Sequence, residues 1–144
     1  MRGFETAKGY ENINLPERGT AHSAGYDFEL CETLTLNPGE IGLAKTGVKA
    51  HMQKDEVLKL YPRSSLPKKF GVTIPNNVGI IDSDYYGNED NAGAIYIQLM
   101  NFKDDPVTIE KGTRIAQGIF MKYLLSDDDK ASGTRNGGFG STGH

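Results

Sequence analysis

Apolar and polar residues alternate with a period of two in short runs along this chain, and no window of a dozen residues carries a 3.6-residue apolar stripe. Val57-Leu58-Lys59-Leu60-Tyr61 is one such run, and Ala94-Ile95-Tyr96-Ile97-Gln98-Leu99-Met100 is the clearest. Side chains that change face at every residue suit half-buried strands, with one face on a core and the other in water. Turn signals separate the runs: Asn37-Pro38-Gly39 ahead of 41–50, Asp104-Asp105-Pro106 ahead of Val107, and Lys111-Gly112 ahead of 113–123. Short strands at this spacing predict an all-β sandwich, barrel or jelly roll with little helix. The best helical candidate is a short turn over 65–70, where Pro67 is tolerated only in the first turn.

With 144 residues the chain has room for one substantial core. Glycine supplies 18 of them, above the average usage of about 7%, in keeping with many turns. Lys and Arg number 16 against 19 Asp and Glu, a net charge of −3. That balance argues against a general nucleic-acid binder, so an anionic ligand would have to rely on local basic residues. A single Cys31 leaves no intrachain disulfide and no thiolate metal site, as expected in a reducing compartment. No run approaches the roughly 18 apolar residues of a membrane span, and MRGFETAKGY lacks an apolar signal core. The expectation is a soluble cytoplasmic protein that meets neither membrane nor nucleic acid.

Four places in the body of the chain concentrate chemistry. Tyr61-Pro62-Arg63-Ser64-Ser65-Leu66-Pro67-Lys68-Lys69 follows a strand with a guanidinium, two hydroxyls and two ammonium groups, and reads either as an anion site or as an N-cap serine with solvated lysines. In 76–87, two apolar residues lead into Asp82, and an acidic, aromatic turn closes at Gly87, as in a hairpin whose tip lines a pocket. Asp82 suits a general base or an Asx turn, and Tyr85 offers a flat face for a sugar or a base. Asp82, Asp84, Asn88 and Asp90 lie close enough for a cation, but their order does not match the twelve-residue calcium loop. Ala24-Gly25-Tyr26-Asp27-Phe28 sets an acid between aromatics, and Arg114 and Gln117 stand three apart in an apolar strand. His22, His51 and His144 have no metal-ligand spacing and receive no role. The C-terminal stretch differs in kind: a charge run over 126–130 precedes 131–144, which holds five glycines. Its composition is that of a flexible tail, yet Phe139 gives it an aromatic ring that a solvating tail does not need.

Taken together, AGYDF (24–28), PRSSL (62–66), NNVGIIDSDYYG (76–87), RIAQGIF (114–120) and RNGGFGSTG (135–143) resemble, in order and spacing, the five motifs of the homotrimeric deoxyuridine triphosphatase (dUTPase) family. The resemblance implies a jelly-roll or β-clip subunit over 1–125 and a flexible arm over 126–144 that closes over the active site. It implies a trimer with active sites shared between subunits, and hydrolysis of dUTP to dUMP and pyrophosphate with Mg2+ held by the triphosphate. On that pattern Asp82 is the general base for water attacking the α-phosphorus. Arg63, Ser64, Ser65 and Gln117 contact phosphates, and Asp27 reaches the metal through water, so no residue is a direct metal ligand. Asn76 and the backbone from Gly79 to Ile81 read uracil, while Tyr85 packs under the deoxyribose and leaves no room for a 2′-hydroxyl. Phe139 stacks on uracil, and Arg135, Gly140, Ser141 and Thr142 complete the nucleotide contacts.

The chain departs from the family pattern at three points. One residue, Asn136, separates Arg135 from Gly-Gly-Phe where two are common; Tyr86 stands where Arg or another polar residue is frequent; and 88–93 is longer than the usual continuation. The alternatives are a dCTP deaminase, which would carry a Trp-containing turn and a strand glutamate absent here, and a dUTPase-like trimer whose surface loops, such as 88–93, also bind a regulatory protein partner.

Overall fold

The computed structural model describes residues 1–135. Its chain is almost entirely β, in strands β1 (Gly3–Thr6), β2 (Glu17–Arg18), β3 (Tyr26–Glu29), β4 (Leu34–Leu36), β5 (Ile41–Lys45), β6 (Val48–His51), β7 (Glu56–Pro62), β8 (Val72–Thr73), β9 (Gly79–Asp82), β10 (Tyr96–Asn101), β11 (Val107–Ile109) and β12 (Arg114–Lys122). Two five-residue helical turns interrupt them, Leu66–Phe70 and Ser83–Gly87. All strand pairs are antiparallel, in sheets ordered β2-β3-β12-β7-β9, β5-β10-β8, β1-β6 and β11-β4. None of the helices among the described residues is long and apolar enough to cross a membrane.

The alternation in the sequence becomes the burial pattern. Along β10 the odd-numbered Ile97, Leu99 and Asn101 are buried and Tyr96, Gln98 and Met100 are half-buried. The core joins Phe28 of β3, Leu58 and Leu60 of β7, Ile81 of β9, and Ile115 and Ala116 of β12 to Ile97 and Leu99 of β10. Asn101 is the polar exception: fully buried, it donates to Leu36 O at 3.1 Å and Asp105 O at 2.8 Å and accepts from Lys103 N at 2.9 Å, so its amide is satisfied. The run 41–50 is two strands in different sheets, broken at Gly47. With φ of 69° and Tyr10 within 3 Å of where a Cβ would stand, that position needs glycine.

Two local features set up the site. The pairing of β12 with β3 shifts by one residue between Arg114 and Ala116, so Ile115 and Ala116 are consecutive and both buried. This bulge returns Gln117 to a position opposite Asp27 on one side and Tyr61 on the other. The second feature corrects the hairpin expected over 76–87. β8 pairs with β10 and β9 pairs with β7, so the turn at 74–78 carries the chain from one sheet to another. After Asp82 the chain winds into a 3₁₀ turn and not a hairpin tip.

Candidate active site

A cavity of about 250 Å3 opens between β9, β10 and the 3₁₀ turn, lined by Leu60, Ile74, Asn76, Gly79 to Asp82, Tyr85, Tyr96 to Gln98, and Arg135. It gathers six of the residues singled out from sequence: Asn76, Gly79, Ile81, Asp82, Tyr85 and Arg135. Gly79 faces Leu60, whose Cβ would lie 3.2 Å from an added methyl, so the β9 backbone itself forms part of the wall. The preceding turn is tight: Asn77 N donates to Ile74 O at 3.0 Å and Val78 N to Asn76 O at 2.8 Å, with Asn77 at φ 68°. Exposed backbone donors and acceptors beside an apolar slot are suited to reading a planar heterocycle by its edge.

Tyr85 is 3% exposed and held at both ends. Its hydroxyl donates to Ala94 O at 2.8 Å and accepts from Asn91 Nδ2. Burial raises the phenol above its ordinary pKa, and the Asn91 hydrogen bond partly offsets that rise. At the cavity rim, Arg135 Nη2 donates to Asp82 Oδ2 at 2.6 Å and Nε to Asp84 Oδ1 at 2.7 Å. These two carboxylates raise the guanidinium pKa, Asp84 by the larger amount. Arg135 thus meets the candidate base and its neighbour Asp84.

Those residues form a second cluster. Arg63 Nε lies 3.2 Å from Asp27 Oδ1, and Gln117 Nε2 donates to Pro62 O at 3.4 Å. Ser65 occupies the N-cap position of the helical turn Leu66–Phe70, but its hydroxyl makes no capping hydrogen bond there. Ser64 is exposed and Ser65 half-buried. The cluster does not line the cavity. In the ladder, Gln117 pairs with Tyr61 of β7 and Asp82 with Val57, on opposite sides of that strand. The two therefore lie about 13 Å apart along β7 and about 10 Å across it.

Tyr86, a departure at sequence level, points away from the cavity. Its hydroxyl donates to Glu5, Lys49 Nζ sits 3.9 Å from the ring centre, and His51 packs edge-on at 6.0 Å, so it ties the 3₁₀ turn to β1 and β6. The sequence reading missed Tyr96 and Gln98, whose alternate placing on β10 was the available signal, and Asp84 as a partner of Arg135. Phe139, Gly140, Ser141 and Thr142 lie outside the described residues.

Comparison with known proteins gives a consistent picture. The dUTPase family model matches residues 11–143. The deoxyuridine 5′-triphosphate nucleotidohydrolase of Lactococcus lactis subsp. lactis is 53% identical over 147 aligned positions, covering 99% of this chain and 98% of that protein. The protein of the same name from Leptospira interrogans is 38% identical, covering 92% and 93%. A dUTPase crystal structure from Streptococcus mutans aligns with a TM-score of 0.84 at 50% identity, covering 87% of this chain and 98% of that one.

Proposed function

The chain belongs to the dUTPase family, and we propose that its hydrolysis of dUTP to dUMP and pyrophosphate uses Asp82 as general base, with the nucleoside in the cavity walled by Tyr85. The observation that carries this reading is the convergence of Asn76, Gly79, Ile81, Asp82 and Tyr85 on one cavity. The Asp82 carboxylate takes a proton from a water whose oxygen forms the new bond to the α-phosphorus, while the bond from that phosphorus to the bridging oxygen breaks and pyrophosphate leaves. Arg63, Ser64, Ser65 and Gln117 hold the phosphate chain and stabilise charge as it moves toward the leaving group. Asn76 and the backbone from Gly79 to Ile81 read uracil, Tyr85 supports the deoxyribose, and Phe139 covers the base. Arg135, Ser141 and Thr142 act on the phosphates, and Gly140 joins them in binding substrate, from an arm over 126–144, apart from a β-domain over 1–125. The cationic Arg135 beside Asp82 and Asp84 marks where such an arm can meet the active site.

Magnesium enters the same proposal through its substrate. Among the described residues no three His, Cys, Asp or Glu side chains gather into a metal site, and Asp27 is the carboxylate paired with Arg63 beside Gln117. A carboxylate paired with a guanidinium and facing an amide suits an ion that arrives on a triphosphate and keeps several waters. Asp27 would hold it through water, and the bound ion would neutralise charge on the phosphate chain. The separation of the Asp27–Arg63–Gln117 cluster from Asp82 supports an active site assembled between subunits of a trimer, each chain giving its nucleoside cavity to the phosphate cluster of another. A cytoplasmic location fits this role in nucleotide metabolism. Within 88–93, Asn88 and Asn91 turn inward toward Tyr85, while Glu89, Asp90 and Ala92 stay exposed.

Pyrophosphate release from dUTP, dCTP, dTTP and UTP with Mg2+ tests the substrate assignment, the expected result being selective dUTP turnover. Asp82→Asn should lower kcat by about 10²- to 10⁴-fold while leaving the Kd for dUTP within a few-fold of wild type. Turnover by Asp82→Asn at the wild-type rate would remove Asp82 from the role of base.

A further inference from the structure

We propose that Asn91 is a positioning residue for sugar selection: through the Tyr85 hydroxyl it fixes the depth of the ring in the nucleoside cavity, and so sets how strongly a 2′-hydroxyl is rejected. The inference rests on the dUTP reading of that cavity and extends it to 88–93, a stretch for which the sequence offered only a loop or a partner surface.

The turn is built around Tyr85. Asn88 N donates to Tyr85 O at 3.0 Å, closing the end of the 3₁₀ turn. Asn91 then points its side chain inward and uses both ends. Its Oδ1 accepts from Gly93 N at 3.2 Å and from Asn88 Nδ2 at 3.0 Å, and its Nδ2 donates to the Tyr85 hydroxyl. The backbone at Ala92 and Gly93 is left-handed, with φ of 56° and 76°. At Gly93 a Cβ would lie 2.3 Å from Tyr86 O and 3.2 Å from Tyr85 O, so the turn seats directly on the peptide units of the residues it holds. Ala94 O accepts the Tyr85 proton at 2.8 Å, and Ala94 N donates back to Asn91 O at 3.0 Å. Asn88 and Gly93 are buried and Asn91 is half-buried.

The donor assignments make the arrangement directional. The Tyr85 hydroxyl has one proton, and it goes to Ala94 O, so the oxygen is left to accept from Asn91. An aromatic ring fixed only by apolar packing can slide by a few tenths of an ångström as its neighbours give. A ring whose buried hydroxyl is bound from two sides must break a hydrogen bond to do so, and an unsatisfied buried polar group is costly. Rejection of an added hydroxyl by a wall depends on that wall not yielding. A wall pinned from behind can therefore discriminate where a loosely packed one would not.

The isosteric variant Asn91→Asp separates the two tasks of the side chain. A carboxylate keeps the acceptor for Gly93 N and Asn88 Nδ2 but cannot donate to Tyr85. The readout is the ratio of kcat/KM for dUTP to kcat/KM for UTP, which a general loss of stability does not move, measured on folded full-length protein with Mg2+. Asn91→Asp should lower that ratio by about tenfold while dUTP kcat stays within about threefold of wild type. Tyr85→Phe, which leaves the whole turn intact, should lower it in the same direction, and adding Asn91→Asp to Tyr85→Phe should lower it no further. A wild-type ratio in Tyr85→Phe overturns the proposal even if Asn91→Asp does not fold. So does an Asn91→Asp effect that persists at full size without the hydroxyl. Wild-type protein that hydrolyses UTP as readily as dUTP would instead overturn the placing of the sugar on Tyr85, which is a different failure.

Discussion

At Gly25 an added Cβ would stand 2.4 Å from Gln117 Oε1 and 2.9 Å from Gln117 Cβ. The amide oxygen can swing away, but the Cβ cannot, so β3 and β12 would have to part where Asp27 faces Gln117. Gly25→Ala should cost about 1–3 kcal/mol in stability, read by denaturant unfolding, as overpacked sites do. It should also lower kcat/KM for dUTP by about tenfold or more, because phosphate contacts tolerate little displacement. An unchanged kcat/KM would separate Gln117 from substrate binding. The first motif is legible in the sequence at this level, since an acid two residues after a glycine and between aromatic rings invites a structural reason. Asn91 is not, because its role is defined by a hydroxyl that reaches it only once the 3₁₀ turn has formed. Nothing in Asn88-Glu89-Asp90-Asn91-Ala92-Gly93 distinguishes an inward amide from a polar surface loop.

The alternating runs that became β7 and β10 follow from pattern alone, because burying one face fixes their register. The bulge in β12 escapes that logic. Strict alternation would put Arg114 and Gln117 on opposite faces, and the extra residue brings both to the face of Asp27 and Glu29. The false hairpin at 76–87 has a related cause: local turn chemistry says that the chain bends but not which strand it pairs with next. The first strand depends on a charge. Glu56, buried at the start of β7, accepts from Arg2 Nη2 at 2.5 Å and Nε at 2.9 Å, and from Gln53 N at 2.9 Å. The Arg2 hydrogen bond leads the causes that hold its carboxyl below the usual range. A carboxyl with a lower pKa folded than unfolded stabilises above its unfolded value and loses that contribution as pH falls through the folded one. Glu56→Gln should therefore melt below wild type at pH 7, with the gap closing in acid below about pH 4. A gap of constant size across that range would assign Glu56 a packing role in place of an electrostatic one.

At the scale of the whole molecule, the two residue clusters of the proposed active site are kept apart by the chain's own sheet. The five motifs are legible in one chain because each is a short local constellation, yet their assembly is not, because no pattern along a sequence says which copies meet. Within one chain Asp82 and Gln117 lie on opposite flanks of β7, about 13 Å apart along it. A general base has to reach its water, and the water the phosphorus, over hydrogen-bond distances of about 3 Å. On the proposed reading, a triphosphate held by Arg63 and Gln117 of one chain would be served by the Asp82 of another. Mixing inactive Asp82→Asn and Arg63→Ala subunits tests this. If the chains are unfolded and reassembled at equal amounts, about a quarter of the sites should pair an intact Asp82 with an intact Arg63 and recover dUTP turnover. Each variant assembled alone should stay inactive. If every site were completed within one chain, no mixed trimer would contain an intact one, and activity in the mixture would remain at the level of its parents.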